Sequence, residues 1–541
     1  MKGFADMIIA VGKTNSMIEK QSLLSQYFSF AEDKDKLWAI ALFSGKKPKK
    51  KIKAADLKAW CIEYCEMPIW LFEASYQHVG DLAETISLLL PPHDERKEIN
   101  TSLHEIMVAL YSELTDDEIS KKELVLKLWK QLDKNASFVF NKLITGGFRV
   151  GISQQTLIHA IAKAEKMPTE EVAYNITGNI DPIFDNYGDI ILNTSKLNHS
   201  KPYPFFLTYP LESGLSTLGT AQEWIAEWKW DGIRGQCIKR DNQYFIWSRG
   251  ETLITSSLPE FETFLQKLPD GTVLDGEILC GIYKSEKIQA LPFSLLQTRI
   301  NRKKISAKIM RDAPVIFVAY DILEHSGEDI RQCSLNERKS ILNQLIQETD
   351  SALLISSPEI LFTEWQELTI ARNQSRQNYA EGLMLKKKDS PYLSGRKKGF
   401  RWKWKTDPLS IDCVLIYAQK GHGRRSGLYT DYTFAVKYGT QLVSITKAYS
   451  GLTDKEIKEV DDYIKKNGIE KFGPVQTVKP ELVFEIIFEG IAESSRHKSG
   501  IALRFPRIKR LRKDKTADEI NTLDDLKQML RQYNEHHVKN V

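Results

Sequence analysis

The run Glu227-Trp228-Lys229-Trp230-Asp231-Gly232-Ile233-Arg234 decides how the rest of the chain is read. It has the texture of a strand, with a lysine between two tryptophans just before an Asp-Gly pair. A lysine attacks a phosphorus centre only as the free amine, so it needs burial or neighbouring cations to release its proton. The glycine allows a tight turn towards a bound phosphate. Alone, the K-x-D-G pattern would equally describe a surface Lys-Asp pair on an edge strand. Its meaning comes from its surroundings.

Downstream, in order, stand Ser248-Arg249-Gly250-Glu251, Leu274-Asp275-Gly276-Glu277, Ala319-Tyr320-Asp321-Ile322, Glu381-Gly382-Leu383-Met384-Leu385-Lys386 and Trp402-Lys403-Trp404-Lys405. Most fall in short β-type runs: Trp224–Trp230, Gln243–Trp247, Val273–Ile278, Val315–Leu323, Gly382–Lys386 and Arg401–Lys405. Strand alternation puts Lys403 and Lys405 on one face and the tryptophans on the other. Upstream, residues 1 to about 175 read as helical, with apolar spacings of three and four in Ala55–Trp60, Glu123–Leu132 and Thr156–Ala164. Pro91-Pro92 and Gly146-Gly147 interrupt that pattern as loops. Between Asn175 and Pro204 the pattern fades into Asn, Asp, Gly, Pro and Ser, as in a linker. From Ile411 short strands dominate again, including Cys413–Ala418, Tyr432–Lys437 and Leu482–Phe488, and Leu523–Tyr533 closes the chain as an amphipathic helix.

The bulk composition agrees with several domains, because 541 residues exceed what one core organises. At 42% hydrophobic and 27% charged, the chain is neither disordered nor membrane-embedded, and a cytoplasmic setting is expected. The net charge of +5 is mild, but basic residues gather at Lys46–Lys53, Lys386–Lys405 and Arg504–Lys515, the footprint of a polyanion-binding protein. Of six cysteines only Cys61 and Cys65 are close, and no second pair completes a zinc set, so reduced thiols are expected.

Taken together, the ordered motifs resemble the nucleotidyltransferase superfamily of DNA ligases, RNA ligases and mRNA capping enzymes. The last basic stretch, Arg504-Phe505-Pro506-Arg507 leading to Arg512-Lys513-Asp514-Lys515, resembles that of ATP-dependent DNA ligases. Lys142–Ser153, with Gly146, Gly147, Arg149 and Gly151, resembles the DNA-backbone loop of the helical domain in eukaryotic and archaeal replicative ligases, as does His78–Thr85. Gly421–Arg425 fits the bacterial members that carry this helical domain, with Arg424 and Arg425 able to reach phosphates.

The resemblance implies an all-α DNA-binding domain over 1–200, an α+β nucleotidyltransferase (adenylation) domain over 201–406 and a C-terminal OB-fold over 407–541, pivoting near Asp407-Pro408. It makes Lys229 the nucleophile that carries AMP and puts Glu227 beside the adenine. Tyr320 would stack on the base. Arg234 and Arg249 would contact ribose and phosphate. Lys386, Lys403 and Lys405 would serve the nucleotide, the last two neutralising the α-phosphate. Glu277 and Glu381 would reach ribose and a divalent cation, Mg²⁺ or Mn²⁺. Arg504, Arg510, Arg512 and Lys515 would orient pyrophosphate in line with the lysine. The implied partners are ATP and nicked duplex DNA, the implied state a monomer, with no membrane. Rivals are an RNA ligase, a capping guanylyltransferase and a non-catalytic DNA-end-binding scaffold. An NAD-dependent ligase is disfavoured by the missing zinc-finger cysteines.

Overall fold

The computed structural model describes the chain apart from residues 46–50, 92–100, 147, 149–150, 179, 193–199, 301, 303–304, 422–424, 426, 474 and 539–541. Pro92, Gly147, Arg149, Arg424 and part of the Lys46–Lys53 cluster therefore lie outside the described residues. No helix among the described residues is long and apolar enough to cross a membrane. All six cysteines are free thiols.

The chain groups into two compact units: Met1–Ala160 with Asp407–Asn534, and a second made chiefly of Ile161–Thr406. The resemblance put the first domain boundary at 200/201, and the contact grouping takes Ile161 onward with the central residues. Described residues in this stretch pack onto the segment C-terminal to them. Tyr174 lies against Tyr203 at 5.6 Å between ring centroids, and Lys201 donates to the Asn175 carbonyl at 2.8 Å.

The N-terminal portion is helical because its apolar residues recur with the helix period. Lys134–Thr145 buries Ala136, Val139, Phe140, Leu143 and Ile144 on one face, starts where Asp133 accepts from the Ala136 N–H, and stops at Gly146 with φ +70°. Leu103–Val108 opens with a reciprocal Ser102/Glu105 capping box.

Among its described residues the central unit holds two larger sheets and a two-stranded one, Phe206–Leu207 with Gly395–Arg396. Of the larger two, one runs in the order Glu359–Ile360, Trp224–Trp230, Ala380–Lys387, Arg401–Lys405, Tyr209–Pro210. The other has Leu354–Ser356, Val315–His325, Thr272–Lys284, Ile233–Arg240 and Gln243–Ser248 side by side. Helix Leu335–Thr349, capped by a Ser334/Glu337 box, packs on the second sheet through Leu342 and Leu345.

The C-terminal portion is a strongly bent sheet. Strand Leu409–Lys420 pairs with Tyr429–Tyr438, Val475–Val478 and Val483–Phe488, which its two bulges allow. Helix Asp454–Asn467 buries Ile457, Val460, Asp461 and Ile464, spaced three and four apart, and Val460 and Ile464 join the core. The sheet's ends approach where the Ile508 N–H donates to the Ser450 carbonyl at 2.9 Å. A strand trio followed by a helix and further strands is the arrangement expected of an OB-fold.

Candidate active site

Strand Trp224–Trp230 is two-faced. Trp224, Ala226 and Trp228 pack with Leu383, Leu385, Trp402 and Trp404 in one apolar cluster. Alternation therefore leaves Glu227 and Lys229 on the opposite face. The neighbouring strands carry that face onward. Met384 lies opposite Glu227, and Lys403 lies opposite Met384. Lys386 lies opposite Ile225 on one side and Arg401 on the other. The tryptophans take the other parity, as the sequence indicated.

Glu381 joins this face through a bulge, since the register shifts between Ala380 and Leu383. Gly382 makes the bulge possible. Its φ is +141°, and a Cβ there would meet the Trp404 carbonyl oxygen at 2.3 Å. The result is that Lys229 Nζ donates to Glu381 Oε2 at 2.6 Å, with Lys405 Nζ 3.4 Å from the same oxygen. Lys403 feels burial first, then the positive charges of Lys229, Lys405, Arg396 and Arg249, and its ammonium loses its proton more readily than an exposed lysine.

After Trp230 the chain crosses at Asp231-Gly232 from the first sheet to the second. Here the structure supplies a reason for the glycine that the sequence did not. A Cβ at Gly232 would lie 2.4 Å from the Ile278 carbonyl oxygen. Close approach to the Thr272–Lys284 strand, rather than an unusual backbone angle, demands it. Past the crossing, Arg234 stands opposite Glu277. Burial pushes the Glu277 carboxyl up to about 8, while Lys229 and Arg234 pull it down. Tyr320 is the extra residue of a second bulge, between the pairs Asp275–Asp321 and Gly276–Ala319.

Two arginines expected at the nucleotide behave differently. Arg249 is exposed, and its backbone N–H donates to the Arg234 carbonyl at 2.8 Å. Arg234 is instead committed to protein partners. It donates to Asp275 through Nε at 3.1 Å and Nη2 at 2.6 Å, and to the Phe206 carbonyl through Nη1 at 2.8 Å. With its fork filled, it forms one wall beside Tyr320, 5.6 Å from the ring centroid. Lys386 also departs from the phosphate-facing group. It is buried, donates to Glu227 Oε2 at 2.7 Å, and its ammonium sits 4.4 Å from the Tyr320 ring centroid.

Glu227 is 1% exposed and would cost several kcal/mol as a lone buried anion. Lys339 takes its Oε1 and Lys386 its Oε2, and despite burial the two cations hold the carboxyl below its ordinary range. Lys339, on helix Leu335–Thr349, was missed by sequence reasoning. So was its neighbour Arg338, which donates to Asp321 at 2.7 Å and 3.1 Å. Consecutive cations on a polar helix read as a solvated face, so sequence offered no signal. Asp275 and Asp321 were visible inside the ordered motifs, but their work is to bind arginines.

The remaining residues lie in the other unit. Arg512 and Lys515 both pair with Asp412, at 3.0 Å and 2.7 Å, and Arg512 also with Asp514. Arg510 pairs with Glu485 at 2.7 Å. Arg504 sits beside Phe505, which is exposed. Arg425 donates to Asp454 at 3.0 Å. In the helical portion, Gly146 ends its helix, and Gly151, with φ +63°, accepts from Lys20 Nζ through its carbonyl at 3.2 Å. The two helical stretches that carried the resemblance meet, since Lys142 pairs with Asp81.

Three family models match: DNA ligase N terminus over 1–162, ATP dependent DNA ligase domain over 208–405, and ATP dependent DNA ligase C terminal region over 425–515. A probable DNA ligase of Koribacter versatilis is 33% identical over 488 residues, covering 85% of this chain and 83% of that one. The DNA ligase 1 of Korarchaeum cryptofilum is 24% identical over 550 residues, covering 98% of each chain. Among solved structures, one named Pmar-Lig_PreS3 matches at a TM-score of 0.61 and 14% identity, over 94% of this chain and 99% of its own.

Proposed function

Because the chain belongs to the ATP-dependent DNA ligases, we propose that it seals nicks in duplex DNA through AMP carried first on Lys229 and then on the 5′-phosphate. The observation that carries this reading is the Lys229–Glu381 contact at 2.6 Å, on a face that also bears Lys403 and Lys405.

In the first step, Lys229 Nζ reacts as the free amine, its proton passing to solvent. The free amine attacks the α-phosphorus of ATP, a nitrogen–phosphorus bond forms, and the bond to the bridging oxygen of pyrophosphate breaks. Lys403 and Lys405 offset the charge that grows on the α-phosphate oxygens. In the second step, an oxygen of the DNA 5′-phosphate displaces Lys229, which takes up a proton, and AMP moves to the DNA. In the third, the 3′-hydroxyl attacks that phosphate, the phosphodiester forms, and AMP leaves. Arg504, Arg510, Arg512 and Lys515 serve the departing pyrophosphate, which requires Arg512 and Lys515 to exchange Asp412 for phosphate oxygens. Gly146, Gly151 and Arg425 are assigned to the DNA backbone.

The family's chemistry calls for a divalent cation, Mg²⁺ or Mn²⁺. Glu277 and Glu381 fit one. Both are hard oxygen donors beside Lys229, Glu381 in direct contact and Glu277 within electrostatic reach. Among the described residues no group of three or more His, Cys, Asp or Glu could hold a metal. Magnesium is commonly held by one or two carboxylates with substrate phosphates completing its shell. Bound there, it would withdraw charge from the phosphates.

The test is Lys229→Ala. It should take no covalent label from ATP, keep its circular dichroism, and still seal a nick already carrying 5′-AMP. Label retained by the variant would move the nucleophile elsewhere.

A further inference from the structure

Lys339 belongs to no motif, yet it is one of the most completely buried lysines in the central unit, 5% exposed at its side chain. It reaches from helix Leu335–Thr349 to Glu227 Oε1, with Glu359 Oε1 at 3.1 Å as its other partner. Lys386 holds the second oxygen of Glu227 at 2.7 Å. The carboxylate is thus gripped at both oxygens, from two elements, and its plane is fixed. We propose that Lys339 is the positioning residue that sets base choice, holding Glu227 as an oriented, acceptor-only group that takes a 6-amino purine and refuses a 6-oxo purine.

This role rests on the assignment of the reacting phosphate to Lys229. Glu227 and Lys229 are two residues apart on one strand face, which places their Cα atoms roughly 6.6 Å apart. A ribose bridges such a distance, so a base attached to that phosphate falls beside Glu227. The Tyr320 ring flanks the same place, because Lys386 touches both. An ionised carboxylate has lone pairs and no proton to give. Opposite it, the adenine amino group is a donor and makes a bond. The guanine 6-oxygen is an acceptor and leaves two buried acceptors facing each other. Sites built to hydrogen-bond one substrate group reject the analogue lacking it by about 10⁴–10⁵-fold.

That discrimination holds only while Glu227 remains an anion in a fixed plane. With full burial against it, Glu227 stays below its usual carboxylate range because of Lys339 first and Lys386 second. Lys386 cannot do this alone, since it holds only Oε2 and leaves Oε1 without its partner. Without Lys339, the carboxyl would gain a proton or turn, and a protonated oxygen could donate to a 6-oxo group.

The experiment is covalent labelling of the full chain with three nucleotides: ATP, GTP and the triphosphate of unsubstituted purine riboside, which has hydrogen at position 6. Lys339→Met should lower the ATP-over-GTP ratio of kcat/KM roughly 10- to 100-fold, the range of one hydrogen bond to a charged group. Its loss should be large with ATP and small with the unsubstituted purine, because that analogue never used Glu227. Lys339→Arg should hold the ratio near that of the unchanged protein. A purely structural role would cut ATP and the unsubstituted purine equally, and that result, or an unchanged ATP-over-GTP ratio, overturns the proposal. If Lys339→Met fails to fold, Glu359→Gln decides. It leaves Lys339 to Glu227 alone and should keep or sharpen the preference for ATP, and a fall in that preference overturns the proposal. If the unchanged protein takes no label from ATP, the reading of Lys229 fails first. Label without the base dependence removes the role of Lys339 alone.

Discussion

Gly382→Ala tests the geometry of the site at its narrowest point. The new Cβ would stand 2.3 Å from the Trp404 carbonyl oxygen and 2.6 Å from the Lys405 Cα, both backbone atoms that cannot swing aside. Ordinary contact begins at 3.4 Å, so the Arg401–Lys405 strand must retreat by about 1 Å or the bulge must open. The backbone angle of +141° adds strain of about 1–3 kcal/mol for any side chain. Overpacking costs about 1–3 kcal/mol more. For a domain of this size, each kcal/mol lowers the unfolding midpoint by about 2–4 °C, so a drop of about 4 °C or more is expected. The chemical effect should be larger. Glu381 lies in the bulge beside Gly382, and a 1 Å misplacement at a reacting centre costs about 10²-fold. The assay pairs the rate of covalent AMP formation with a melting curve. The control is Gly399→Ala, where φ is +93° but nothing lies within 4 Å of the new atom, so it should keep nearly full labelling. If Gly382→Ala labels as fast as Gly399→Ala, the bulge does not place Glu381, and the reasoning fails.

Arg512→Ala or Lys515→Ala should slow labelling by ATP roughly 10²-fold or more and leave sealing of a pre-adenylated nick nearly intact, so equal losses on both substrates would remove them from the pyrophosphate step. Lys386 offers a pH test: burial pushes its ammonium down to about 8, against about 10.4 in an unfolded chain. Between those values the unfolded chain keeps a proton that the folded chain has released, so this group makes stability rise with pH across that window. Urea midpoints of Lys386→Met should lack this rise relative to the unchanged protein, and parallel curves would contradict it. Gly146→Ala, at a φ of +70°, should weaken binding to nicked duplex and flatten its salt dependence by about 0.9 for each phosphate that the protein no longer neutralises, whereas an unchanged slope would take the loop off the DNA.

Much of the architecture was legible from alternation alone. The runs read as strands at Trp224–Trp230, Val315–Leu323 and Arg401–Lys405 are strands within two residues. Ile233–Arg240 escaped notice because glycine, glutamine and arginine break its alternation, although Cys237 and Ile238 are buried between two partner strands. Helix Asp454–Asn467 was hidden by strands on both sides, even with its Thr453/Glu456 cap in plain view. At the site, sequence identified the polar residues but not who is bound to whom. Arg234 and Lys386 carry the charges a nucleotide would want, yet Asp275 and Glu227 hold them. Only the fold brings residues 41 or 159 positions apart into contact, and motif spacing does not encode such pairs.

The crossing at Gly232 has a mechanical consequence. Lys229 is three residues from a point where the backbone is clamped against Ile278, with no room for a single methyl group. A long flexible side chain is a poor instrument for aiming a nitrogen, because most of its freedom lies beyond the Cα. Clamping the main chain so near removes the slack at the root and leaves only the four-carbon arm to be steered, which Glu381 does at its tip. For the AMP-carrying role proposed for Lys229, this would return the amine to one address at each turnover.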